Sequence, residues 1–388
     1  MTALLLVIIY IAFISLGLPD SILGSAWPSM YGALDVPVSY AGIITMIISC
    51  GTIVSSLVSY RLIRGLGTGM VTLMSVAMTA VALFGFSFSK SFWLLCLWSI
   101  PYGLGAGSVD AALNNFVALH YKAKHMSWLH CFWGIGATLG PYIMGLCLTR
   151  GLNWYSGYQT IGIVQTVLVV GLIFSLPLWK RMQEDRNIGA KRNKAYGLKE
   201  VIRLPGAKPI LVGFFCYCSL EATAGLWASS YLVFQKGIRA QTAAKWAALF
   251  YLGITIGRFL AGFITAKVGA KNMVRGGQAL AGLGLIIIML PFGDQLSLLG
   301  LVLVGLGCAP IFPSLLHQTP VNFGEDKSQA IMGMQMAAAY LGTTIMPLLF
   351  GFVSEKAGIG FYPLYLMFFV VLMWIMVEKL NRLRSGTS

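Results

Sequence analysis

Apolar residues run in long blocks along this chain, and polar residues gather in the gaps between them. Twelve blocks are long enough for a helix to cross a bilayer, which takes about 20 residues. They cover 2–30, 37–60, 69–88, 91–119, 127–149, 157–179, 209–234, 241–265, 274–292, 296–317, 329–353 and 360–379. The pattern predicts an all-α membrane protein with 12 transmembrane helices. The gaps are short except for residues 180–208, which hold nine Lys and Arg and three acids. The expected organisation is a six-helix bundle over 1–179, a solvated basic connector over 180–208 and a second six-helix bundle over 209–388. The stretch from Leu4 to Leu16 lacks a basic leader and an A-x-A site, and its apolar character continues past Pro28. It is read as a first span rather than a cleaved signal.

Composition narrows the class. Of 388 residues, 57% are apolar and only 10% charged, too few to clothe a water-soluble globule or to keep a chain disordered. The net charge of +15 would suggest nucleic acid in a soluble protein. Here the positions of the charges matter more. With the N-terminus placed in the cytoplasm, 21 of 27 basic residues, Arg258 among them, fall to the gaps on that side. Six (Lys90, Arg150, Lys236, Arg239, Lys245 and Lys356) fall to the other. Basic residues favour the cytoplasmic face, so both termini are expected inside a cytoplasmic membrane, with lipid as partner and no nucleic acid. The seven cysteines are scattered through apolar stretches without a CxxC spacing, as small buried hydrophobes would be. No metal or cofactor is expected, and the chain is expected to be a monomer.

The two halves repeat each other. Gly136-x4-Pro141-x3-Gly145 in span 5 recurs as Gly342-x4-Pro347-x3-Gly351 in span 11, shifted by 206. Gly51, ten residues before Arg61, recurs as Gly257 before Lys267, again shifted by 206. Gly103-Leu-Gly105 recurs as Gly305-Leu-Gly307, shifted by 202. Six spans per repeat give both halves the same orientation, so the repeats are parallel. This pattern resembles the major facilitator superfamily over the whole chain. The resemblance implies two six-helix bundles that rock to expose a central cavity to each side in turn. The loop signature of that superfamily is weak at Tyr60-Arg61-Leu62-Ile63-Arg64-Gly65 and better kept at Gly257-Arg258-Phe259-x2-Gly262-x4-Lys267-x-Gly269.

Three acids lie inside spans: Asp20 in span 1, Asp110 in span 4 and Glu221 in span 7. A charge in hydrocarbon costs several kcal/mol, so each should face a cavity or carry a proton. Asp110 and Asn114 are four apart and share a helix face. A carboxylate beside a carboxamide offers the donors and acceptors that a polyol or sugar needs. His130 and Trp133 in span 5 are three apart and also share a face. In span 7, Tyr217, Glu221 and Trp227 combine aromatic and acidic character, as stacking on a pyranose and holding its hydroxyls would require. His130 serves equally as a helix–helix hydrogen bond. Trp93, Trp154 and Trp374 read as interfacial anchors.

At these residues the resemblance narrows. Pro19-Asp20, Asp110-Ala-Ala-Leu-Asn114-x-Phe-Val, Phe-Cys-Tyr217-x3-Glu221, Ile-Gly257-Arg258-Phe and Pro347-x3-Gly351-Phe-Val look like the fucose–galactose–glucose:proton symporter family. The resemblance implies that Asp20 couples to protons and that Asp110, with Asn114, recognises sugar. His130 and Trp133 match positions where the fucose permease of that family carries Gln and Asn, and Glu221 matches a Gln. The span 4 acid is Asp rather than Glu, and Gly17-Leu-Pro19 replaces amides before Asp20.

The expected function is therefore secondary transport of a sugar or related polar metabolite, coupled by symport to protons or to sodium. Substrate contacts are expected from Asp110, Asn114, His130, Trp133, Tyr217, Glu221 and Trp227. The alternative is a proton-coupled exporter of drugs or metabolites, suggested by Gly136-x3-Gly140-Pro141, which resembles an antiporter motif of the same superfamily. A receptor is disfavoured for want of an appended soluble domain. An enzyme is disfavoured because no nucleophile–base pair, phosphate loop or metal cluster is legible.

Overall fold

The fold was analysed in a computed structural model, which describes residues 2–36, 40–187, 197–238, 240–290 and 293–385. Helices dominate, and none of the described residues lies in a strand. In chain order they are α1 (Thr2–Asp20), α2 (Ile22–Met30), α3 (Ala41–Leu66), α4 (Thr68–Phe88), α5 (Phe92–His120), α6 (Ala123–Thr149), α7 (Trp154–Asn187) and α8 (Leu198–Arg203). There follow α9 (Ala207–Phe234), α10 (Ala240–Val268), α11 (Ala270–Met289), α12 (Asp294–Cys308), α13 (Ile311–His317), α14 (Thr319–Phe323), α15 (Glu325–Ala357) and α16 (Tyr362–Ser385). Twelve spans among them are long and apolar enough to cross a membrane. Helices suit that medium because every backbone group finds its partner within the segment. Large apolar side chains such as Val167, Phe174, Phe352 and Phe368 stay exposed on the outer faces. Buried hydroxyls return their protons to their own helix, as Thr52 does to the Ile48 carbonyl and Ser99 to that of Leu95.

The chain divides into two compact units, one of residues 1–116 and 129–196, the other of 117–128 and 197–388. Within the expected connector, α7 runs on to Asn187 and α8 occupies Leu198–Arg203. Lys191, Arg192 and Lys194 of that connector, like Arg239, lie outside the described residues.

The repeated glycines mark helix crossings. In the first unit, Gly136 of α6 lies on the Ile14 carbonyl of α1; in the second, Gly342 of α15 lies on the Phe215 carbonyl of α9. Gly103 of α5 meets α3 at Ile48, and Gly305 of α12 meets α10 at Phe250. Gly105 meets α4 at Ser75, and Gly307 meets α11 at Gly277 and Ala281. Each side chain removed lets two backbones touch, so both units are built from the same contacts. The turns between spans 2 and 3 and between spans 8 and 9 match as well. Gly67 (φ 79°) closes α3 through its N–H to the Ile63 carbonyl (2.8 Å). Gly269 (φ 81°) closes α10 through its N–H to Thr265 (2.9 Å). Only glycine adopts that left-handed conformation without strain. A Gly136→Val variant forces α1 off α6 and is expected to cost about 1–3 kcal/mol. A melting midpoint equal to that of the wild type would show that the crossing is not close.

Some elements depart from expectation. The first span is broken at Ser21 into α1 and α2, and the tenth at Ala309-Pro310 into α12 and α13. Pro19 lies just before the first break and Pro310 within the second, and a proline lacks an N–H and clashes with the preceding turn. Arg258 does not belong with the loop charges: it lies within α10 and is 5% exposed. The basic tally on the expected cytoplasmic side becomes 20 of 26 loop charges, with six still opposite. Trp154 is no interfacial anchor either. It is 4% exposed and packs on Tyr158 at a ring distance of 6.0 Å.

Candidate functional site

In the first unit two polar clusters lie along α5 and α6, and α1 touches both. The first cluster centres on Asp20, the last residue of α1. Gly17, one turn earlier on the same face, sits against the Trp133 carbonyl of α6. That close crossing brings the Trp133 indole within reach, and its N–H donates to Asp20 Oδ2 at 2.9 Å. The Tyr102 hydroxyl of α5 donates to Asp20 Oδ1 at 3.0 Å. Both carboxylate oxygens therefore face donors. The carboxylate is also exposed, opening into a cavity of about 210 Å³ lined by Pro19, Thr45, Ser49, Tyr102 and Tyr158.

The second cluster lies ~12 Å along α5, eight residues at 1.5 Å each. Asn114 Nδ2 donates to the Asp110 carboxylate (2.8 Å) and to the Asp110 backbone carbonyl (2.9 Å). A backbone carbonyl can only accept, so this contact fixes which end of the amide is nitrogen. Asn114 Oδ1 then accepts from His130 Nε2 at 3.1 Å, which places the ring proton on that nitrogen. All three residues are buried, and the rings of His130 and Phe13 of α1 meet at right angles with centroids 5.6 Å apart. His130 and Trp133 lie three residues apart on α6, but their polar ends go to different clusters, Trp133 to the Asp20 carboxylate and His130 to the Asn114 amide.

The second unit holds its own cluster. Tyr217 and Glu221 are one turn apart on α9, and Arg258 reaches both from α10. The guanidinium donates to Glu221 Oε1 at 3.1 Å and to the Tyr217 hydroxyl at 3.3 Å. The Glu221 side chain keeps 21% of its surface exposed, against 6% for that of Arg258. Trp227 is not brought together with them. Its indole N–H donates to the Pro347 carbonyl of α15 at 3.0 Å, and its ring packs on Phe350.

Sequence reasoning missed Tyr102 and Arg258 as site members. The signal for Tyr102 was its spacing: Tyr102, Ala106, Asp110 and Asn114 recur every four residues and so line one stripe of α5. The signal for Arg258 was a basic residue well inside an apolar block, which calls for an acidic partner. No group of three or more His, Cys, Asp or Glu suited to a metal occurs among the described residues.

Twelve helices long enough to cross a membrane, with acids set inside three of them, have the make-up of a transport protein. The sequence matches the Major Facilitator Superfamily over residues 9–245 and 210–383, and the chain belongs to that superfamily. It is a multi-pass membrane transporter. The glucose/mannose transporter GlcP of Bacillus subtilis is 22% identical over 353 residues, covering 88% of this chain and 86% of that one. Bypass of stop codon protein 6 of Saccharomyces cerevisiae is 24% identical over 406 residues, covering 95% and 79%. A solved structure of FucP in its outward conformation matches with a TM-score of 0.77 at 16% identity, covering 96% of this chain and 97% of that one. At such identity the likeness is one of fold.

Proposed function

We propose that the protein carries a sugar or related polar metabolite across a cytoplasmic membrane by alternating access, in symport with protons. In this reading residues 180–208 connect two six-span halves and both termini are cytoplasmic. The observation that carries it is the Asp20 carboxylate: fixed by two donors, open to a cavity, and seated among apolar helices. A sodium ion needs a shell of oxygen ligands, whereas an N–H and an O–H already meet these two oxygens. Of the two partners the Tyr102 hydroxyl can accept as well as donate, so it can face this group both as a carboxylate and as a protonated carboxyl. Asp110, Asn114 and His130 supply a carboxylate, an amide and an imidazole in one hydrogen-bonded line, the chemistry that sorts hydroxyl groups. The glucose/mannose transporter among the relatives supports the same class of substrate. The exporter reading loses its main support, because Gly136 and Gly140 lie on the Ile14 and Leu18 carbonyls, where packing alone explains them.

The test is uptake into liposomes under an imposed proton gradient, with glucose, mannose, galactose and fucose as substrates. At least one sugar should accumulate. Asn114→Leu removes one donor from Asp110 and one acceptor from His130, and kcat/KM is expected to fall at least about tenfold, the equivalent of ~1.4 kcal/mol. No accumulation of any sugar, together with export of lipophilic cations, would contradict the proposal.

A further inference from the structure

Two prolines in the first unit each release a backbone carbonyl, and each carbonyl is met by a side chain from another helix. Pro19 has no N–H for the Ser15 carbonyl four residues earlier in α1. Gln165 of α7 takes its place: Nε2 donates to that carbonyl at 2.5 Å, and Ser15 Oγ donates back to Gln165 Oε1 at 2.8 Å. Both residues are buried, at 3% and 1% exposure. Pro141 likewise frees the Ala137 carbonyl of α6, and the Ser21 hydroxyl, at the break between α1 and α2, donates to it at 2.5 Å. Asp20 lies between Pro19 and Ser21, so it sits in the middle of a bend clamped on both sides. A void of about 10 Å³ lined by Ser15, Pro19, Tyr102 and Gln165 makes the clamp a neighbour of Asp20's own donor.

We propose that Gln165 is a positioning residue for Asp20. By capping the carbonyl that Pro19 releases, it holds the bend that aims the carboxylate at Tyr102 and Trp133. A buried carbonyl left unpaired costs about 1–3 kcal/mol, so an uncapped α1 relaxes toward some other course and takes Asp20 out of register. The proposal rests on the reading of Asp20 as the coupling carboxyl, and it adds a residue that touches neither proton donor nor substrate.

The test is a cycle of Gln165→Leu, Pro19→Ala and the double variant in liposomes, read by melting midpoint, proton-driven accumulation and sugar counterflow. Gln165→Leu should lower the midpoint and reduce accumulation by roughly tenfold, since ~1.4 kcal/mol of lost positioning is one decade, while counterflow persists. Alanine at position 19 restores an N–H to the Ser15 carbonyl. The double variant should therefore melt with Pro19→Ala alone, yet still fail to accumulate because the bend is gone. If Gln165→Leu does not fold, the double variant carries the comparison. Full accumulation by Gln165→Leu, or by the double variant, overturns the positioning role. A double variant that melts well below Pro19→Ala overturns the cap. The midpoint cycle does not depend on coupling, so a failure of the Asp20 reading shows separately, as accumulation by Asp20→Asn.

Discussion

An Arg258→Met variant is expected to be among the least stable single substitutions in the second unit. It leaves the Glu221 carboxylate and the Tyr217 hydroxyl without the guanidinium that both now meet at 3.1 and 3.3 Å. Removing one partner of a buried pair typically costs 3–5 kcal/mol. The lower end, about 3 kcal/mol, applies here because the Glu221 side chain is 21% exposed and retains some solvation. Methionine preserves most of the arginine's volume, so the loss should be electrostatic rather than a cavity effect. A second variant separates the two. Arg258→Met with Glu221→Gln removes both charges and should recover most of the lost melting midpoint. Equal losses in the single and double variants would mean that packing, and not charge, makes Arg258 necessary.

Much of the fold was legible because hydropathy alone separates helix from loop in a membrane protein. Each of the twelve apolar blocks corresponds to a span. The paired glycines were legible too, since a residue without a side chain is needed wherever two backbones touch, and the same crossings recur in both units. Breaks inside an apolar block were harder to see. Ser21 and Ala309 interrupt helices inside blocks that stay apolar over their length, and Pro19 and Pro310 were the hints. Helix ends were also obscured. α7 continues through charged residues to Asn187 and α15 begins at Glu325, because helices persist into the headgroup region where charge is no longer costly.

The candidate site was legible where its partners share a helix. Asp110 and Asn114 are four apart, and helical geometry alone pairs them. Contacts between helices were not. Nothing in the sequence says that Tyr102 and Trp133 converge on Asp20, or that Arg258 of α10 answers Glu221 of α9. His130 and Trp133 show the limit of reasoning from one face. Three residues apart, they point the same way, but each side chain reaches a different neighbour.

The proposed role of Asp20 as carrier of the coupling proton is isolated by the Asp20→Asn variant. Asparagine keeps the shape of the side chain and can still accept from Tyr102 or Trp133, so folding and the Asp110–Asn114–His130 cluster should be undisturbed. It cannot take up and release a proton. A symporter in which this carboxyl must be protonated before substrate crosses, and deprotonated afterwards, loses its link to the gradient. Exchange of labelled for unlabelled sugar needs no net proton movement and should continue. The measurement is made on one liposome preparation in two modes, gradient-driven accumulation and equilibrium counterflow. Accumulation should fall to the level of protein-free liposomes while counterflow stays close to that of the wild type. If Asp20→Asn still accumulates sugar at the wild-type level, Asp20 is not the coupling group.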